Sequence, residues 1–324
     1  MCTALSRPGP GPLFGRTLDV EFTFKEQVVI TPRKRRFRLK NGRDYETRYA
    51  LMGMASVMGD VPLYYEACNE RGVAMAGLNF PRSAVYQEPV GDERDIAPSE
   101  LIPWVLGQAE SLDQARVLLE TLNLTNVPFS PRLPNSPLHY ILGDKTGTLV
   151  VEPMEEGLKL YDAPCGVMTN EPPYDYQLWN LHRYRLLSPQ NGPDTFGGDY
   201  DLPDYGVGLG AVGLPGDASG PSRFVRAAYH LANSHWGDSR EEQVGQFFHV
   251  LDSVAMVKGA VQTKEGKDDL TLYSCCMDLE QGVYYYTTYG NHRIHAVRLH
   301  STDLDGEELV CFDLRREQDI LYEN

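Results

Sequence analysis

Apolar and polar residues alternate with a period of two along much of the chain, the pattern of strands with one buried face. Such segments run over Leu13–Asp19, Gln27–Pro32, Ala50–Val57 and Val73–Phe80. From Leu138 to Val151 two more are divided at Asp144-Lys145-Thr146-Gly147, which predicts a hairpin. Val283-Tyr284-Tyr285-Tyr286-Thr287-Thr288-Tyr289 and His295 to Leu299 predict a second hairpin within Gly282–Arg298, turning at Gly290-Asn291. In the middle of the chain the spacing becomes helical. Pro98–Ala109 and Ser111–Leu122 predict helices, with Ser111 placed as an N-cap ahead of Gln114. Tyr174–Leu187, Ser222–Asn233 and Glu241–Val254 predict three more. Strands in two groups with helices between them predict an α+β chain whose antiparallel sheets carry helices on their outer sides. No repeat, low-complexity tract or long linker divides the sequence, so a single domain over 1–324 is expected.

Composition narrows the function more than the fold. Apolar residues at 42% and charged residues at 23% are ordinary globular values. With 30 basic and 45 acidic residues the formal charge is −15, which repels phosphate backbones and argues against nucleic acid as a partner. No stretch approaches the roughly 20 apolar residues that span a bilayer. Met1 to Pro12 has no apolar core of the signal-peptide kind, and Arg7-Pro8-Gly9-Pro10-Gly11-Pro12 breaks any helix there. A cytoplasmic location with reduced thiols, and no membrane association, is therefore expected. Cys2, Cys68, Cys165, Cys275, Cys276 and Cys311 form no CxxC pair and no metal-ligand spacing, so no metal and no cofactor are expected. Five of the six read as small buried hydrophobes. Cys2 is the exception.

Methionine is normally trimmed ahead of a small second residue, so the mature chain is expected to begin at Cys2. A thiol and a free α-amine then share one residue. Their ordinary pKa values, about 8.5 and about 7.7–8.0, make proton transfer between them easy near neutrality. The amine can thus serve as the base for its own side chain. Downstream, Phe14-Gly15-Arg16-Thr17-Leu18-Asp19 places an Arg and an Asp three residues apart at a strand end. Asp19 can hold the terminal ammonium, and Arg16 can favour the thiolate. Gly77-Leu78-Asn79-Phe80-Pro81 and Met168-Thr169-Asn170-Glu171-Pro172 each set an Asn on a turn before a proline. A donor aimed at a developing oxyanion is worth roughly 10²–10³ in rate. Each of these features also has a plain structural explanation: a surface ion pair for the first, simple turns for the others.

Together these segments resemble the choloylglycine hydrolase family, which contains bile salt hydrolases and penicillin V acylases. The resemblance is carried by Met1-Cys2-Thr3, Gly15-Arg16-Thr17-Leu18-Asp19, Asn69-Glu70-Arg71-Gly72, the two asparagine turns, Gly213-Leu214-Pro215-Gly216-Asp217 and Pro221-Ser222-Arg223-Phe224. Ser253-Val254-Ala255-Met256-Val257 and the tyrosine-rich strand extend it to the C-terminal part. It implies a four-layer αββα Ntn-hydrolase sandwich of two antiparallel sheets. It also implies Cys2 as nucleophile, its amine as base, Asp19 and Arg16 as the groups that orient and polarise that pair, Asn170 and Asn79 as oxyanion donors, and Arg223 as the last of the charged cluster. A homo-oligomer, a tetramer, is expected on the same ground. The Arg7–Pro12 stretch departs from the acidic, slightly longer loop usual in the family, and Asp199–Gly206 has no clear counterpart.

Penicillin V acylases often carry Tyr where this chain has Asn79, so the resemblance leans toward conjugated bile salts such as glycocholate and taurocholate. Leu18, Phe24, Met58, Tyr65, Phe129, Leu133 and Leu138 align with a steroid pocket; each also has a core-packing reading, which for Leu133 and Leu138 weighs equally. Gly208-Leu209-Gly210 stands where related enzymes carry a loop tied to taurine preference. Three functions are left open: a bile salt hydrolase, an acylase of another amide such as penicillin V or an acyl-homoserine lactone, and an inactive Ntn-fold binding protein. Two motifs are set aside. Gly208-Leu209-Gly210-Ala211-Val212-Gly213 matches the dinucleotide fingerprint literally, but the flanking prolines leave no room for its helix. His292 and His295 fall on opposite faces of a strand and cannot share a metal.

Overall fold

The computed structural model describes residues 1–324, and two antiparallel sheets dominate it. The smaller sheet has six strands in the order Val167–Met168, Cys2–Arg7, Leu13–Val20, Leu270–Asp278, Val283–Thr288, Asn291–Arg298. The larger has eight, in the order Gly157–Asp162, Thr148–Met154, Leu138–Gly143, Ala74–Asn79, Val61–Asn69, Leu51–Met58, Gln27–Thr31, Val310–Asp313. Helices α1 (Pro98–Leu106) and α2 (Leu112–Thr121) cover the outer face of the larger sheet. α3 (Tyr174–Leu181), α4 (Gly220–Asn233) and α5 (Arg240–Asp252) lie on the side of the smaller one. The result is the expected α+β sandwich, helix–sheet–sheet–helix.

Alternation along the strands builds this layering. Val28, Ile30, Met52, Met54, Cys68, Ala74, Ala76 and Leu78 point from the larger sheet into the core shared with the smaller sheet. Their neighbours Val29, Leu51, Ala67, Val73 and Met75 point the other way, under Leu101, Ile102, Val105 and Leu106 of α1. The central strands of the larger sheet, Gln27–Thr31, Leu51–Met58 and Ala74–Asn79, are therefore buried on both faces rather than on the single face that alternation led one to expect, because helices cover the outer side.

The predicted strands and hairpins are present, most shifted by a residue or two at their ends; Thr148–Met154 runs three residues past Val151, and the last strand begins at Asn291 rather than His295, so its hairpin turns at Tyr289-Gly290. Ser111 caps α2 by accepting from the Gln114 amide at 3.3 Å. The third predicted helix ends early, at Leu181, and passes into a 3₁₀ turn over His182–Tyr184. Several strands went unpredicted, among them Cys2–Arg7, Val61–Asn69 and Leu270–Asp278. Each carries buried polar residues (Thr3 and Ser6, Glu66, Thr271 and Ser274) that interrupt the apolar run. The Arg7–Pro12 stretch is the tight connection between Cys2–Arg7 and Leu13–Val20, with Gly9 and Gly11 at positive φ.

Candidate active site

Cys2 starts the first strand, directly opposite Leu18 on the second, so both side chains face the larger sheet. It is 2% exposed. Its backbone N–H donates to Asn170 Oδ1 at 2.8 Å, and its carbonyl accepts from Arg223 Nη1. Arg223 projects from the first turn of α4, where Pro221 sits at the start of the helix. The same guanidinium donates to Thr3 Oγ1 and to Asn170 Oδ1, both at 2.7 Å, and to the Ala218 carbonyl at 3.0 Å. Burial lowers the pKa of Arg223, and the nearby Asp19 and Cys2 resist that shift.

Arg16 and Asp19 lie on opposite faces of their strand, as a separation of three dictates. Asp19 turns toward the helices. Its carboxylate accepts from Thr271 Oγ1 at 2.6 Å and from Thr17 Oγ1 at 3.0 Å. Burial pushes that carboxyl upward, while the terminal ammonium, Arg223 and the two hydroxyls pull it back. Arg16 turns inward, on the Cys2 side. Its Nη1 donates to the Gly77 carbonyl at 2.8 Å and lies 3.6 Å from Glu66 Oε2. Burial opposes its charge, but Cys2, Tyr273 and Glu66 together hold its pKa above the ordinary value. Glu66 in turn accepts from Tyr273 at 2.9 Å, from Tyr284 at 2.6 Å and from the Cys275 thiol at 3.6 Å.

The two asparagine turns are clasped together. Asn170 Nδ2 donates to the Asn79 carbonyl at 2.7 Å. With Oδ1 taking two donors and Nδ2 facing a carbonyl, the orientation of this amide is unambiguous, and one amide hydrogen is left over. The Glu171 carboxylate accepts from the amides of Arg82 and Ser83 and from the Ser83 hydroxyl, at 2.8–2.9 Å. Beneath the clasp, His139 stacks on Phe80 with ring centres 4.2 Å apart. His139 Nε2 donates to the Thr169 carbonyl at 2.8 Å, and its Nδ1 is 3.1 Å from Glu152 Oε1. Sequence reasoning missed Glu66, His139 and Glu152. Their one visible signal is an ionisable residue inside an otherwise apolar strand.

Comparison with known proteins decides the family. The model of linear amide C–N hydrolases, choloylglycine hydrolase family, matches residues 2–312. A bile salt hydrolase/transferase of Lactiplantibacillus plantarum is 44% identical over 98% of each chain, and one of Clostridium perfringens is 36% identical over the whole of both. The crystal structure of a conjugated bile acid hydrolase from Clostridium perfringens superposes with a TM-score of 0.93 at 35% identity, covering all of both chains. This chain belongs to the choloylglycine hydrolase family. It is accordingly a hydrolase of linear amide C–N bonds with the Ntn-hydrolase architecture.

The residues that choloylglycine hydrolase resemblance assigned to the pocket are placed in three groups. Leu18 is buried beside Cys2. Phe24 lies 5.8 Å from Tyr65 and 4.6 Å from Phe22, ring centre to ring centre, and Met58 is exposed at the end of its strand. Leu138 sits opposite Asn79 in the larger sheet, and Phe129 and Leu133 occupy the loop leading to it, with Lys40 over the Phe129 ring. Phe22 packs against Phe24 and is not among the residues that the resemblance names. The cysteines need one correction: Cys68, Cys275 and Cys276 are buried, but Cys165 is half-buried and Cys311 is exposed on an edge strand. Burial pushes the Cys68 thiol up to about 12. The glycine-rich run at Gly208 forms a 3₁₀ turn over Leu209–Ala211 after a left-handed Gly208. His295 stacks on Tyr286, while His292 is exposed.

Proposed function

We propose that this enzyme hydrolyses glycine- or taurine-conjugated bile salts, with Cys2 as nucleophile after loss of Met1. The observation that carries the substrate is the full-length likeness to proteins named bile salt hydrolase/transferase. The seating of Cys2 between Asn170 and Arg223 supports the chemistry. The Cys2 thiolate attacks the amide carbonyl, and Arg16, on the same face, favours the thiolate. The free hydrogen of Asn170 Nδ2 and Asn79 receive the oxyanion. The Cys2 α-amine, held by Asn170 and near Asp19, passes its proton to the leaving nitrogen, then activates the water that cleaves the thioester. Arg223 fixes Asn170 and the Cys2 carbonyl.

Leu18, Phe24, Met58, Tyr65, Phe129, Leu133 and Leu138 line the steroid site in this assignment, with apolar burial contributing about 25 cal/mol per Å². The enzyme is assigned to the cytoplasm as a homo-oligomer, a tetramer. The exposed Trp179, Leu186 and Val207 on and after α3 are apolar surface of the kind assembly covers. No helix is long and apolar enough to cross a membrane.

The test is release of free amino acid from taurocholate and glycocholate, beside penicillin V, with the N-terminus checked by mass spectrometry. Both conjugates should be cleaved, with Cys2→Ala inactive and Cys2→Ser folded but nearly so. Cleavage of penicillin V alone would overturn the substrate, and a fully active Cys2→Ser enzyme would overturn the mechanism.

A further inference from the structure

Met1 continues the first strand by one residue, and the place it fills is built to hold a primary ammonium. The Met1 carbonyl accepts from the Asp19 amide at 2.9 Å. Its α-ammonium donates to the Asp19 carbonyl and sits 3.2 Å from Asp269 Oδ2. Asp269, just before the strand Leu270–Asp278, is 9% exposed, and its second oxygen Oδ1 is buried without a hydrogen-bond partner. A carboxylate so enclosed is costly unless a cation lies against it. The Met1 ammonium is the cation that does so, since the guanidinium of Arg223, whose charge Asp269 also feels, is committed to Cys2, Thr3, Asn170 and Ala218.

The location matters as much as the charge. Consecutive backbone nitrogens lie about 3–4 Å apart by covalent geometry. A cation where the Met1 nitrogen stands is therefore within proton-transfer reach of the Cys2 nitrogen.

We propose that in the chain trimmed to Cys2, Asp269 and the main-chain N–H and C=O of Asp19 form the subsite for the amine half of the substrate. The proposal rests on the amidase assignment above. As the tetrahedral intermediate collapses, the scissile C–N bond breaks and the carbonyl of the Cys2 thioester re-forms. The proton on the Cys2 α-ammonium moves to the scissile nitrogen while it is still bonded in the tetrahedral intermediate, making it a positively charged leaving group that departs as the neutral amine. The released amine takes one further proton from water and becomes the ammonium that Asp269 and the Asp19 carbonyl hold. The amide nitrogen of the ground state carries no charge, so Asp269 acts as positive charge develops on it, which favours the transition state over the bound substrate. A leaving group without nitrogen gains nothing from it.

The test compares an amide with an ester of the same acyl group. Trimmed wild-type and Asp269→Asn enzymes, N-termini verified by mass spectrometry, are assayed on taurocholate and on the p-nitrophenyl ester of cholate. The ratio of amide to ester kcat/KM is expected to fall about tenfold or more in the variant, the effect of one lost hydrogen bond to a charged group. In the wild type alone, taurine should inhibit ester hydrolysis about tenfold more tightly than N-acetyltaurine, which has no ammonium. An unchanged ratio, or equal inhibition by the two, overturns the subsite. A wild-type enzyme that cleaves the ester but neither conjugate overturns the substrate assignment, and the subsite with it.

Discussion

Arg16 is fully buried between the sheets, and Glu66, also fully buried, is the carboxylate beside it. Removing one partner of such a pair leaves a charge with nothing to neutralise it. Glu66→Leu is therefore expected to lower unfolding free energy by about 3–5 kcal/mol, measured in denaturant against the wild type. A loss below about 1 kcal/mol, the size of an exposed pair, would show that Arg16 is solvated after all. At this scale the sequence was legible by position and mute about partners. Arg16 and Asp19 stood out as charges on an apolar strand. Glu66 stood out equally in Tyr64-Tyr65-Glu66-Ala67-Cys68, but nothing local says that it meets a residue fifty positions earlier. Hydrogen-bond assignments were hidden for the same reason: Asn170 was read as a donor, whereas its amide also accepts from Cys2 and Arg223.

Between elements, the clasp of the two asparagine turns depends on His139, on the strand Leu138–Gly143, which reaches Phe80 on one side and Thr169 on the other. A side chain that cannot donate to the Thr169 carbonyl lets the Asn170 turn move relative to Asn79. His139→Leu is expected to reduce kcat about 10²-fold, the scale of an ångström misplacement, with little change in KM. His139→Gln, which can still donate, should recover most of that. Equal losses in both variants would contradict a positioning role. α4 has its own anchor in Asp217, which accepts from the Ser219 amide at 2.9 Å and from the Ser222 hydroxyl at 2.6 Å. Hydrogen bonds from Ser219 and Ser222 bring its pKa down to about 2. A depressed carboxylate stabilises the fold above its ordinary value, and that contribution disappears as pH falls from about 4 to about 2. Asp217→Ala should therefore be less stable than wild type at pH 7 and indistinguishable from it near pH 2, as read from urea unfolding. The predicted start of α4 at Ser222 falls two residues after the observed one at Gly220; the Asp217 anchor lies outside the helical period and left no trace in it.

For the whole molecule, the pattern of alternation predicted two groups of strands with helices outside, and the layers follow from it. The strand order did not. Leu270–Asp278 pairs with Leu13–Val20 across some 250 residues, and Val310–Asp313 closes the edge beside Gln27–Thr31. Such pairings are chosen by complementarity of whole faces rather than by any local signal. The family resemblance supplied what alternation could not, the αββα arrangement of the two sheets.

Cys2, Asn79, Asn170 and Arg223 come from the first strand, the larger sheet, a turn after the smaller sheet's edge strand and α4, and they touch only when both sheets have docked. Catalytic competence is thus a report on the slowest, most non-local step of folding, because loop closure over such separations precedes any reward from contact. On dilution from denaturant, far-ultraviolet ellipticity should return first and enzymatic activity last, in step with burial of the intersheet tyrosines Tyr273 and Tyr284. Activity that recovered together with ellipticity would mean that the sheets meet before their strands are complete.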